Sequence, residues 1–456
     1  MQLIHLLPLL AAAAPALAAT TSYPVPTYST IEPSLTAIEA AAATAVVGEP
    51  TSGVSGKVFD RFVQIWLENT DYDKAFDQAD LAWLAERGIL LENYFSITHP
   101  SEPNYVAAVG GSNFGINGDP FVRIPSNISH VGDLLDSKGI SWAEYQEHAP
   151  YAGFQGFNYS NQETYANDYV RKHNPLIIYD NVADNDTRLS YIKNFTSFEF
   201  DLAAEKLPQW SFITPNMTND GHDTTVDVSG SWSRSFLEPL LSNEYFMNNT
   251  LVILTFDENE SYAIQNRVLA ILLGGVVDDS LKNTTDSTFY NHFSLISTVE
   301  ANWDLPHLGR GDVDANVFKI VADAVGISND ETIDVSAIYN NETVYGFFSD
   351  DLMSIPAPNI TATNMNGQTV LPSISSVWAK QFAAQESAVS AAATTSASAS
   401  SSVATSSANH TSAAASSTVA ASSTSAAASA TSSSAVGVLA PATGLAAFFA
   451  VLVALF

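Results

Sequence analysis

Residues 250–258 read TLVILTFDE, seven uncharged and mostly apolar residues followed at once by two carboxylates. The run is too short for a helix of ordinary length and rich in β-branched and aromatic residues, so it reads as a buried strand. A strand apolar on both faces suits a parallel sheet covered on both sides. The same texture recurs outward along the chain in FVQIWLE (62–68), WSFITP (210–215) and RVLAILLGG (267–275). Between these runs lie helical patterns, among them KAFDQADLAWLAERG (74–88), HVGDLLDSKG (130–139) and SFLEPLLSNEYF (235–246). Strands alternating with helices predict one three-layer α/β/α sandwich.

In open α/β sheets, ligands bind beyond the carboxyl ends of the strands. FVQIWLE ends in Glu68-Asn69, TLVILTF in Asp257-Glu258, and WSFITP runs into Asn216, Asn219, Asp220, His222 and Asp223. Singly these have bland readings: a helix N-cap cluster at Glu68–Asp71, a turn after the strand at Asp257, a solvated loop at His222. Three strand ends delivering oxygens to one rim favour a site. Carboxylate and amide oxygens in a chain without cysteine suit one hard or borderline divalent cation. THPSEPNYVAAVGG (98–111) adds His99, Ser101 and Asn104 before small residues and a Gly pair. Ser101, between two prolines at a helix start, is the hydroxyl best placed to become a nucleophile. The cation would lower its pKa and neutralise phosphoryl charge, while the helix amides and Asn104 donate to phosphate oxygens. His99, His222 and His292 are candidate donors, and one of them a general acid. His148 and His173 read as structural, and Arg310-Gly311-Asp312 as a chance turn.

The net charge of −31 argues against a nucleic-acid partner of the usual kind. It would repel an anionic substrate at neutral pH and less so in acid. Residues 1–18 have the shape of a signal peptide, so the chain is expected to be secreted. Residues 19–56 read as a leader, 57–382 as the catalytic domain, and 383–434 as a Ser/Thr/Ala-rich stalk too poor in large apolar groups to fold. The apolar tail 435–456 without basic flanks fits a GPI signal, hence a lipid anchor to membrane or cell wall. Acceptor sequences at Asn127, Asn158, Asn185, Asn194, Asn283 and Asn341 predict N-glycans. Those at Asn216 and Asn259 lie too near the expected site for both to carry one.

LENTDYD, THPSEPNYVAAVGG, PNMTNDGHD, LTFDEN and NHFSLISTVEANWDLPHLG occur in that order. Over about Val58 to Gly326 the set resembles the phosphoesterase family that holds acid phosphatases and bacterial phospholipases C, with fungal secreted acid phosphatases nearest. The resemblance implies an alkaline-phosphatase-like fold and hydrolysis of phosphate esters. It implies metal ligands at Glu68, Asn69, Asp257 and Glu258, the nucleophile at Ser101, and phosphate-facing groups at His99, Asn104, His222, Asp223 and His292. The Asp257-Glu258 pair stands where two-zinc relatives carry Asp-His, so one metal is expected, with histidines in the space of the second. A monoesterase is the expected activity. A phosphodiesterase or phospholipase C, and a non-catalytic GPI-anchored wall glycoprotein, are the alternatives.

Overall fold

The structure is a computed structural model that describes residues 28–344, 346, 348 and 355–380. The expected signal peptide, the stalk and the apolar tail lie outside the described residues.

Among the described residues there are ten strands: β1 (Arg61–Leu67), β2 (Ile89–Phe95), β3 (Trp142–Gln146), β4 (Asn158–Ser160), β5 (Asn167–Val170), β6 (Ile192–Asn194), β7 (Trp210–Thr214), β8 (Thr250–Phe256), β9 (Ala270–Leu273) and β10 (Thr284–Asn291). Eight form one sheet in the order β10-β2-β9-β8-β1-β7-β3-β6, and β4 pairs with β5 separately. Six of the seven residues of β1, and every residue of β3, β7 and β8, are buried, so these central strands are covered on both faces. β1 runs parallel to β8, with Leu67 beside Phe256, and parallel to β7, with Ile65 beside Ile213. The carboxyl ends of the three strands that carry acidic and amide residues therefore share one rim.

Three details differ from the sequence reading, the first being that the helical pattern at 235–246 falls across the end of helix Val226–Leu240 and a separate helical turn, Glu244–Met247. The run at 267–275 gives β9, but β9 lies antiparallel to both β2 and β8. Its connection from β8 contains no helix, and a helix-free return favours an antiparallel neighbour over a parallel crossover. The helical pattern at 74–88 is two helices, Tyr72–Asp77 and Ala79–Ala85, broken where Gln78 turns extended (φ −72°, ψ 126°). The Gln78 Oε1 accepts from the amides of Asp80 (2.7 Å) and Leu81 (2.8 Å), capping the second helix.

The small residues of 98–111 have a packing reason. Helix Ser101–Gly110 is buried along its whole length. A Cβ on Gly110 would stand 2.1 Å from the Tyr179 hydroxyl. Gly111 ends the helix in the left-handed conformation (φ 68°), where glycine is strongly favoured. Upstream of β1, residues from 28 onward pack on the domain. Helix Leu35–Ala42 buries Ile38 against Ala149, Phe154 and Tyr169, and the Ser52 hydroxyl donates to Gln209 Oε1 at 2.6 Å.

Candidate active site

The strands β1, β2 and β8 hand their next residues to the rim. β1 continues into Glu68 and Asn69, and β8 into Asp257 and Glu258. β2 leads through the His99 loop into the helix opened by Ser101. Glu68, Asp257, Glu258, His99 and Ser101 are all buried. Ser101 Oγ lies 3.2 Å from Glu68 Oε2 and 3.2 Å from Glu258 Oε1, and its one proton can go to either. Glu258 Oε2 pairs with His99 Nδ1, whose ring stacks on Tyr262 with centroids 3.9 Å apart. The Tyr105 hydroxyl donates to Glu68 Oε1 at 2.6 Å. Three pieces of chain distant in sequence thus meet around one hydroxyl.

The electrostatics are those of crowded acids. Burial pushes Asp257 well above the usual carboxylate range, and the charges of Glu68 and Glu258 push it further. Glu258 is also raised, by burial first, against the pull of His99. Burial would raise Glu68 too, but His173 and then Lys172 and His222 outweigh it and hold Glu68 at about 2. Burial lifts Asp220 to about 6, with His173 opposing.

These residues fit a divalent cation. Asp257 Oδ2 is buried without a hydrogen-bond partner. The Asn69 amide faces two carboxylates, 2.7 Å from Glu68 Oε2 and 3.2 Å from Asp257 Oδ1. A nitrogen in that place donates to both, whereas an oxygen there needs a cation between them. A second group, Glu68, His173 and Asp220, places one ligand atom from each within 4.8 Å of the others and could hold a metal.

Other expected residues are placed differently. Asn104 is buried and spent on its own loop: its oxygen accepts from the amides of Ile97 and Thr98, and its nitrogen donates to the carbonyls of Thr98 and Pro100. His292 is buried with Nε2 2.6 Å from the Asp257 carbonyl and Nδ1 3.2 Å from the Tyr94 hydroxyl. Burial drops its pKa to about 3, so it is a neutral brace for the Asp257 backbone. His222 and Asp223 lie at the surface, paired at 2.9 Å. The buried acceptor residues Asn216 and Asn259 are hydrogen-bonded within their loops, whereas Asn185 and Asn283 are exposed.

Some site residues were not read from the sequence. His173, expected to be structural, sits with Nε2 3.0 Å from Glu68 Oε1 and Nδ1 3.5 Å from Asp220 Oδ2, stacked on Tyr105. Beside it the Lys172 ammonium reaches Asp119 Oδ2 (3.1 Å) and His222 Nε2 (3.3 Å). A cavity of about 440 Å³ opens there, lined by Thr30, Asp119, Phe157, Lys172, Met217 and His222 among others. A larger cavity, about 900 Å³, runs along β10 and helix Lys319–Val325 and contains none of these residues.

Fold and site together define an α/β protein with a serine-centred, oxygen-rich strand-end site. Residues 51–306 match the family described as Phosphoesterase family, and the chain belongs to it. The chain is 60% identical over 371 residues to a "Probable acid phosphatase" of Kluyveromyces lactis, covering 81% of this chain and 87% of that protein. It is 58% identical over 315 residues to an "Acid phosphatase" of Aspergillus fumigatus, covering 69% and 70%. It is 30% identical over 226 residues to a "Phosphatidylinositol-3-phosphatase" of Mycobacterium tuberculosis, covering 50% and 70%.

Proposed function

We propose that this chain is a metal-dependent acid phosphatase that hydrolyses phosphate monoesters through a phosphoseryl intermediate on Ser101. The observation that carries the reading is the Ser101 hydroxyl, buried at a helix start and 3.2 Å from each of two carboxylates. The names of the fungal relatives support the activity, and all three relatives are named as phosphatases.

A divalent cation held by Glu68, Asn69, Asp257 and Glu258 would stabilise the serine alkoxide and the charge on the phosphoryl oxygens. Ser101 Oγ attacks phosphorus as its proton passes toward a neighbouring carboxylate, the Oγ–P bond forms, and the bond from phosphorus to the leaving oxygen breaks. The leaving alkoxide takes a proton from His222, whose ring lines the adjoining cavity. Water then attacks phosphorus and gives a proton to His222, the O–P bond to Ser101 breaks as Oγ takes its proton back from the carboxylate, and inorganic phosphate is released. His292 holds the Asp257 carbonyl and takes no part in proton transfer.

Ser101→Ala is expected to lower kcat by several orders of magnitude while leaving Tm in place. Acid-quenched wild-type protein should carry phosphate on Ser101, detectable by mass spectrometry. An Ala variant with wild-type turnover would overturn the assignment.

Secretion, N-glycans and a C-terminal lipid anchor, expected from the acceptor sequences and the segments at 1–18 and 435–456, belong to the same proposal. Release of activity from cells by a phosphatidylinositol-specific lipase, and a mass drop with an endoglycosidase, are the expected outcomes. Activity that stays with the cells after lipase treatment counts against the anchor.

A further inference from the structure

The Ser101 helix begins with a hydrogen bond that phosphate chemistry would not leave alone. The Glu102 backbone amide, one residue past the nucleophile, donates to Asp119 Oδ1 at 3.0 Å. The other oxygen of that carboxylate accepts from the Lys172 ammonium at 3.1 Å. An oxyanion is thus bracketed by a helix-start amide and a cation, one residue along the helix from the serine. That pair of donors is what a phosphoryl oxygen requires. The anion filling it belongs to the protein's own loop.

We propose that Lys172 is a substrate-binding residue and that Asp119 is a stand-in for phosphate, displaced when phosphate takes the Glu102 amide and the Lys172 ammonium. This rests on the phosphatase reading and extends it to a residue pair that the sequence reading did not single out.

Three further observations support it. The Lys172 ammonium points to this place, reaching both Asp119 Oδ2 and His222 Nε2. Neighbouring guanidiniums are engaged elsewhere, with Arg171 donating to the Ile177 carbonyl and Arg123 paired with Asp180 and Asp184. Asp119 can leave, because its side chain is 29% exposed against 14% for Lys172. The pair also lines the 440 Å³ cavity with His222, so a phosphoryl group held between Ser101 and Lys172 would direct its leaving group into that space.

The test uses inorganic phosphate as the probe, in two arms. Phosphate binding is measured by calorimetry on the full chain carrying Ser101→Ala, so the result does not depend on turnover. KM and kcat are measured on the otherwise wild-type chain. Lys172→Met is expected to weaken phosphate binding roughly 10–100-fold and to raise KM by a similar factor. Lys172→Arg is expected to retain most of the affinity. Asp119→Asn keeps the acceptor for the Glu102 amide but removes the competing charge, and is expected to tighten phosphate binding a few-fold.

Opposite signs for the two partners of one ion pair are not expected from a merely structural bridge. Phosphate affinity unchanged within twofold in Lys172→Met, or weakened equally in Asp119→Asn, would overturn the proposal. Should Lys172→Met fail to fold, the contrast between Lys172→Arg and Asp119→Asn decides in the same way. A Ser101→Ala chain that still turned over substrate would sink the catalytic reading while leaving the phosphate-binding result to stand or fall separately.

Discussion

Replacing Glu300 by glutamine should stabilise the protein at neutral pH and do almost nothing in acid. Glu300 sits in helix Phe293–Trp303, fully buried, with Oε2 accepting from Asn364 Nδ2 at 2.9 Å and Oε1 without a hydrogen-bond partner. Burial first, and then the charge of nearby Asp312, raise its pKa well above the usual 4.5. In the folded state the carboxyl keeps its proton where the unfolded chain has released it. The folded protein then binds one proton more, so stability falls with rising pH by about 1.4 kcal/mol per unit from roughly pH 4.5 up to the folded pKa. Each unit of that range traversed below pH 7 is stability that glutamine restores. Glutamine keeps the acceptor for Asn364 and has no proton to lose. The expected outcome is a Tm roughly 3–8 °C above wild type at pH 7 and unchanged at pH 4.5. Thermal unfolding across that pH range is the assay. A Tm difference that is the same at both ends, or larger in acid, would refute the reasoning. Glu144, also buried and raised, adds to the same slope.

Three other outcomes are expected. Gly110→Ala forces a methyl to within 2.1 Å of the Tyr179 hydroxyl and 2.9 Å of the Phe114 ring, which should cost about 1–3 kcal/mol and lower Tm. His292→Gln should cut activity by loosening the Asp257 backbone, yet leave the acid limb of the pH–rate profile in place, since His292 stays neutral above about pH 3. A shifted acid limb would return it to the proton-transfer steps. A strong chelator should abolish turnover and also lower Tm, because the buried carboxylates of Glu68, Asp257 and Glu258 would lose the charge that offsets their repulsion. Full activity after exhaustive chelation would count against a cation at those residues.

The parts of the site visible in the sequence were those with a periodic signal behind them. Glu68 and Asp257 each follow an apolar run that only a buried strand explains, so their position at the rim could be read before any coordinates. Ser101 stood out because two prolines and a stretch of small residues frame it. For Asn104 the sequence points to phosphate, but it does not reveal that an amide in a tight loop can be engaged by that loop's own backbone, as this one is through its four hydrogen bonds to residues 97–100. His173 and Lys172 were missed for the opposite reason. They lie in a single 3-10 turn, Arg171–His173, between irregular segments, where no periodicity says which way a side chain points. The available clue was compositional: three basic residues in a row in a chain with only 17 lysines and arginines. Asp119 gave no clue, since its partners are fixed by tertiary contact alone. The reversal of β9 was hidden for a similar reason, because an apolar run states that a strand is buried and not which way it runs.

Thr30 reaches the cavity beside Lys172 from a stretch of chain upstream of the family-matched residues 51–306. One wall of the space proposed for the leaving group is thus set by chain outside the matched segment, while its other lining residues lie within it. A substitution at Thr30 therefore reshapes that wall without touching any atom of the strand-end cluster.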